Sequence, residues 1–351
     1  MTMYRNNLLT KDHPYYHDVS FLLHQAFIPF DGYVHDETFD LYSVSGERFE
    51  NRVKLDWPRV NLDPIDLEYD SGFNILGSGS VHGTLCLFCA SRVNILLWNP
   101  CSKEFKLIPP SPFDSHPNCY VFVDHHAFGY DFVNNDYRVM RHGIVVNGTN
   151  YGPYIWEIYS VRNNSWRKLD VDMQNKPMDE DQLYIDGLSH WLCNGETNNE
   201  THLLSFDWSN EVFLTTPIPL DMDESFDCYS VRIDLVLLNG SIAFILNYKE
   251  TGTFHISILG ELGVRKSWTK IFILGPLPCL EYPIGAGKKG NMLFRKKDDY
   301  GRLVWFDLNT QMTEELDLNT QKHDDRFMHI SSYCKIVILK ESILPFEGEN
   351  I

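Results

Sequence analysis

One pattern recurs along almost the whole chain and constrains its fold more than any other feature. A bulky residue ends a short apolar run, a polar turn follows, and a second bulky residue comes seven positions after the first. The copies are Tyr42-Ser-Val-Ser-Gly-Glu-Arg-Phe49, Trp98-Asn-Pro-Cys-Ser-Lys-Glu-Phe105, Tyr159-Ser-Val-Arg-Asn-Asn-Ser-Trp166 and Phe206-Asp-Trp-Ser-Asn-Glu-Val-Phe213. A stretched fifth copy runs Leu259-Gly-Glu-Leu-Gly-Val-Arg-Lys-Ser-Trp268. A sixth, Phe306-Asp-Leu-Asn-Thr-Gln-Met-Thr313, lacks the closing aromatic. Each copy reads as a hairpin: a strand in, a turn rich in Asn, Asp or Gly, and a strand out. First residues 47–61 positions apart lie close to the period of propeller blades. One such unit cannot bury its own apolar surface, so neighbours must stack.

The intervening runs support strands. Leu85-Cys-Leu-Phe88, Ile95-Leu-Leu-Trp98, Gly143-Ile-Val-Val146, Ile242-Ala-Phe-Ile-Leu246 and Leu303-Val-Trp-Phe306 are short, apolar and bounded by turn formers. No helical apolar stripe is sustained, so helices are expected to be few, and strands that do not alternate with helical segments argue against a doubly wound sheet. The expected fold is all-β, a kelch-like β-propeller of about six blades. An early strand at Val19-Ser-Phe-Leu-Leu-His24 and a last one at Ser331-Ser-Tyr-Cys-Lys-Ile-Val-Ile-Leu-Lys340 are expected to share one blade and close the fold.

Composition narrows the function. Aromatics make up 14% of the chain, which excludes disorder. The net charge of −18 repels phosphate backbones, so nucleic acid is not an expected partner; a basic protein is. No apolar run is long enough for a membrane helix, so no membrane partner is expected. The first residues carry no signal-peptide pattern, and the 8 cysteines are too few for a disulfide scaffold. A cytoplasmic or nuclear location is the expectation.

Ser80-Val-His-Gly-Thr-Leu-Cys-Leu87, Ile95-Leu-Leu-Trp-Asn-Pro100 and Phe105-Lys-Leu-Ile-Pro-Pro-Ser-Pro112 come in that order. Phe128-Gly-Tyr-Asp-Phe-Val-Asn-Asn-Asp-Tyr-Arg-Val139, Asp186-Gly-Leu-Ser-His-Trp-Leu192 and Phe213-Leu-Thr-Thr-Pro-Ile-Pro219 follow. Together they resemble the plant F-box-associated domain (type 1), a family that includes the S-locus F-box proteins. The resemblance is strongest over 78–220. It implies a non-enzymatic protein-recognition module, the substrate-binding part of an SCF-type E3 ubiquitin ligase receptor. The family's helical F-box, which docks a Skp-type adaptor and cullin, opens with Leu-Pro; the first 40 residues here contain none. The expectation is therefore a remnant or linker at 1–18, a propeller domain at 19–345 and a tail at 346–351, with adaptor binding only if an F-box is supplied.

Candidate chemistry gives little. Cys86-Leu-Phe-Cys89 has zinc-like spacing but no second pair. Adjacent His125 and His126 on a strand point to opposite faces. His82 and His190 read as strand histidines with ordinary hydrogen-bond partners. Gly285-Ala-Gly-Lys-Lys-Gly290 has the letters of a dinucleotide loop, yet a strand-like Asn291-Met-Leu-Phe-Arg295 follows where that loop needs a helix. No catalytic residue, cofactor or metal is expected. The alternative is a propeller enzyme, glycosidase- or oxidase-like, using carboxylates such as Asp179 and Asp181. Substrate contacts are expected from loops on a rigid scaffold: Asp31 and His35, Asn150 and Tyr151, and Asn194, Glu196 and Asn198.

Overall fold

The computed structural model describes residues 16, 18–29, 38–46, 48–60, 72–88, 94–112, 119–147, 150–170, 182–194, 200–219, 231–297, 302–317, 328–340 and 342. They form strands joined by turns, with no α-helix among the described residues. The strands are β1 (Val19–Pro29), β2 (Thr38–Ser45), β3 (Asn51–Leu55), β4 (Asn74–Ile75), β5 (Leu85–Phe88), β6 (Ile95–Trp98) and β7 (Phe105–Ile108). Next come β8 (Cys119–Asp131), β9 (Asp136–Asn147), β10 (Asn150–Ser160), β11 (Ser165–Lys168), β12 (Leu183–Ile185), β13 (Leu188–Asn194), β14 (Thr201–Asp207) and β15 (Val212–Pro217). The last are β16 (Val231–Leu238), β17 (Ser241–Tyr248), β18 (Thr253–Ile258), β19 (Thr269–Leu274), β20 (Leu280–Ala286), β21 (Asn291–Lys296), β22 (Arg302–Asp307), β23 (Thr313–Asp317) and β24 (Met328–Lys340).

They make six four-stranded sheets. Five use consecutive strands. The remaining one has the order β24-β1-β2-β3, so both ends of the chain meet in one sheet, as the terminal strands led us to expect. Two compact units result: residues 1–57, 69–72 and 217–339, and residues 58–68, 73–216 and 340–351. In the first, Phe254, Phe294 and Phe306 are fully buried, with ring centroids 5.1 and 6.1 Å apart in sequence. Tyr16 is also buried there and its hydroxyl accepts the Asn239 N–H at 3.1 Å. In the second, Trp191, Phe206 and Trp208 form one buried cluster with Ile158.

The repeat is a turn of fixed construction. Trp98 faces Phe105, Tyr159 faces Trp166, and Phe306 faces Thr313 across their hairpins. The residue after the first bulky one takes over the turn's amide groups. Asn99 Oδ1 accepts from the N–H of Cys101 and Ser102, Asp207 Oδ1 from Ser209 and Asn210, and Asp307 Oδ1 from Asn309. Ser160 Oγ accepts from Asn163. These are Asx and Ser turns, which stand in for backbone pairing where the chain reverses. The residue four positions on, Lys103, Asn164, Glu211 or Gln311, is left-handed with φ of 63°, 48°, 55° and 57°. The Asp131 turn between β8 and β9 has the same design, with Asn135 at 50°.

Two expectations need correction. Tyr42 does not face Phe49: it pairs with Lys54, and Phe49 is itself the left-handed turn residue at φ 60°. Gly46, at φ 95°, moves this turn two residues later than the spacing suggests. Trp166 is half-buried against the core cluster of its unit, and its indole N–H donates to the Pro109 carbonyl at 2.7 Å. Trp268, which is buried, makes the same bond to Pro217 at 3.0 Å. His82 lies in a turn rather than a strand: His82-Gly83 reverses the chain with both φ positive, 49° and 78°. Asp186-Gly187 and Asn239-Gly240 do the same between paired strands, the geometry that a two-residue hairpin turn demands.

Candidate functional site

Strand order sorts the connections within each sheet. First-to-second and third-to-fourth links lie at one end, second-to-third links at the other. Counting β24 as the first strand of its sheet, the residues expected to touch a substrate all belong to second-to-third links: β1–β2, β9–β10 and β13–β14. Asp31, His35, Glu196 and Asn198 lie outside the described residues. Asn194 is exposed at the end of β13, where its backbone pairs with Thr201.

Asn150 and Tyr151 were expected in a loop and are strand residues. Asn150 pairs with Asn147 and Tyr151 with Val146, which leaves two residues between β9 and β10. The β-branched run Ile144-Val-Val146 carries the ladder further than the glycine and asparagine letters around it suggest. A register shift between Tyr151 and Tyr154 then re-aims the strand. Beyond it Tyr154 stands 60% exposed, its ring flat against buried His142 at 5.1 Å and 7°. His142 also packs on Trp156, at 4.4 Å. The alternation Tyr154, Trp156, Ile158 was the legible sign of this face.

One residue further along, Glu157 pairs with Arg141. Glu157 is fully buried; it accepts from Arg141 Nε at 2.7 Å and Nη2 at 2.6 Å, and from Ser111 Oγ at 2.6 Å. The guanidinium lies 5.0 Å from the Trp166 ring. Both charges are therefore consumed inside the fold. Removing one partner of such a pair costs about 3–5 kcal/mol, because the other is left buried and uncompensated. Its role is structural, holding the proline-rich exit from β7 against β10.

The other chemical candidates also resolve into structure. Cys86 is buried in β5, where burial pushes its thiol pKa up; Cys89 lies outside the described residues. His190 Nδ1 is 2.8 Å from Ser205 Oγ, and burial pushes its imidazole down to about 3. His125 pairs with His142 and His126 with Arg141 in the β8–β9 ladder. The segment after Gly285 passes through a 3-10 turn at Lys288–Gly290 directly into β21. A Cβ on Gly285 would stand 2.7 Å from that of Ile336, so this glycine serves close packing. Asp179 and Asp181 lie outside the described residues. Among the described residues no group of three or more His, Cys, Asp or Glu is placed to hold a metal ion.

The family model of the F-box associated beta propeller domain matches residues 34–339. The chain belongs to this family. Its six sheets are the blades of an F-box-associated β-propeller. It is 30% identical over 196 residues to the Arabidopsis thaliana F-box protein At3g21120, covering 53% of this chain and 49% of that protein. It is 24% identical over 237 residues to the F-box protein At3g17490 of the same plant, covering 65% and 57%. It is 23% identical over 336 residues to Arabidopsis F-box protein CPR1, covering 88% and 75%. The chain thus spans about half the length of the first two relatives.

Proposed function

We propose that this F-box-associated propeller is the substrate-recognition part of an SCF-type ubiquitin ligase receptor, working in the cytosol or nucleus without catalysis of its own. Family membership over 34–339 is the observation that supports it most. The reading places protein recognition on the second-to-third links, around Asn194, Glu196 and Asn198 and around Tyr151. Adaptor docking would be supplied by an F-box.

Affinity purification from plant cells tests this. The expected result is a defined protein partner that is lost when Asn194, Glu196 and Asn198 are changed together to Ala. An unchanged partner set, or turnover of glycosides by the purified chain, overturns it.

A further inference from the structure

The turns headed by Asn99, Ser160, Asp207 and Asp307 tuck in the apolar residue that follows. Val161, Trp208 and Leu308 are buried, and Pro100 is half-buried. The β8–β9 turn, of the same design, does the reverse. Phe132 is 51% exposed and Val133 74%. Folding gains little from an apolar pair held out in water, and small exposed apolar groups of this kind become informative when they are built rigidly.

This tip is built rigidly. Asp131 takes the N–H groups of Val133 and Asn134 and is ion-paired to Arg138. The Phe132 N–H donates to Ser209 Oγ from the β14–β15 turn at 3.1 Å, and Arg162 from the β10–β11 turn donates to the Asn134 carbonyl at 2.6 Å. The Phe132 ring packs on His82 and Tyr130, centroids 5.3 and 5.2 Å away. A side chain fixed in advance loses little entropy on binding, which is what distinguishes an anchor from a loose apolar residue.

We propose that Phe132 and Val133 form a docking point for a protein segment that presents an apolar side chain next to a basic one. The borders of the patch give the basic residue its place. Asp186 is exposed and adjoins Gly187, which packs against the Phe132 ring. Asp207 is half-exposed and heads the turn that contributes Ser209. Neither carboxylate is in an ion pair with a described residue. Of the cations nearby, Arg138 is engaged by Asp131, Asp136 and Glu211, and Arg162 donates to the Asn134 carbonyl. Asp186 and Asp207 thus set two carboxylates on the border of the Phe132 tip, where the basic residue of the incoming segment would sit. This surface is at the end of the β8–β11 sheet opposite the β9–β10 link, so it is separate from the recognition links proposed above.

Random peptides displayed on phage and selected on the intact chain test this, with counter-selection on the Phe132→Ser, Val133→Ser double variant. Both positions are at least half exposed, so the variant should fold and melt within a few degrees of the parent; Asp186→Asn serves as a second, charge-only variant. The expected outcome is enrichment of sequences pairing an aromatic or aliphatic residue with Lys or Arg. Synthetic copies should bind the double variant roughly tenfold more weakly than the parent and lose affinity with Asp186→Asn and with added salt. Equal binding to both proteins, enrichment of acidic sequences, or no enrichment overturns the proposal. So does a concentration-dependent dimer abolished by the double variant, which would seat a second copy there. Substitution of Asn194, Glu196 and Asn198 should leave peptide binding intact, so failure of the recognition links and failure of this surface are read separately.

Discussion

Two turns in the second unit have the same backbone and opposite side-chain fates. At Asp207 the following Trp208 is fully buried; its indole N–H donates to Ser189 Oγ at 2.8 Å and its ring meets Phe206 edge-on at 5.0 Å. At Asp131 the following Phe132 is half in solvent. Carboxylate-headed turns and a left-handed fourth residue, Glu211 or Asn135, are common to both. Turn geometry and burial are thus independent variables. The first is decided by a few local hydrogen bonds, the second by what lies behind the turn. Behind Trp208 the backbone of Gly129 leaves room that a Cβ would fill.

Substituting the two residues gives the largest contrast. Trp208→Ala is expected to lower unfolding free energy by about 3–5 kcal/mol, and Phe132→Ala by about 1, both read by urea denaturation. Comparable losses would show that the Phe132 tip belongs to the core. Gly129→Ala should destabilise the parent but add little to Trp208→Ala, since the two compete for one space.

Glu157→Gln is next, with a loss of about 3 kcal/mol from a guanidinium left without its counter-charge. Replacing Arg141 and Glu157 together with apolar residues of similar size should recover most of it. If the double variant is no better than Glu157→Gln, the pair is not the unit that the geometry indicates.

Acid should separate the turns as well. His190 is in the sheet that carries the Asp207 turn. Its folded-state pKa of about 3 is below the unfolded value near 6.5, so its contribution is complete above about pH 6.5 and is lost as pH falls toward 3. The expected slope is about 1.4 kcal/mol per pH unit, and His190→Gln should flatten that part of the profile. The Asp207 carboxyl resists the same acid. Burial alone would raise it, but hydrogen bonds from Asn210 and Ser209 hold it below the usual carboxylate range.

The smallest effects concern the turns alone. Asp207→Ala should cost about 1 kcal/mol through lost hydrogen bonds to its turn amides. Lys103→Gly should gain roughly 0.5 kcal/mol, because relief of a left-handed side chain slightly exceeds the entropy of an added glycine. A destabilised Lys103→Gly would mean that the strain at this position is already absorbed by its neighbours.

The hairpins were legible because turn chemistry is local. Asn99, Ser160, Asp207 and Asp307 act on amides two or three residues away, so their spacing from Trp98, Tyr159, Phe206 and Phe306 is written along the chain. The same argument failed where one glycine moved a turn, at Tyr42 and Phe49, because pairing register depends on the facing strand. It also stopped short at Asn150 and Tyr151, whose ladder partners Asn147 and Val146 lie across a turn too short to show as one. Tertiary structure alone decided that Trp208 goes in and Phe132 stays out, that Ser111 meets Glu157, and that Asp186 borders an aromatic tip. The Ser111–Glu157 and Phe132–Ser209 bonds join residues 46 and 77 positions apart, and packing, not spacing, brings them together.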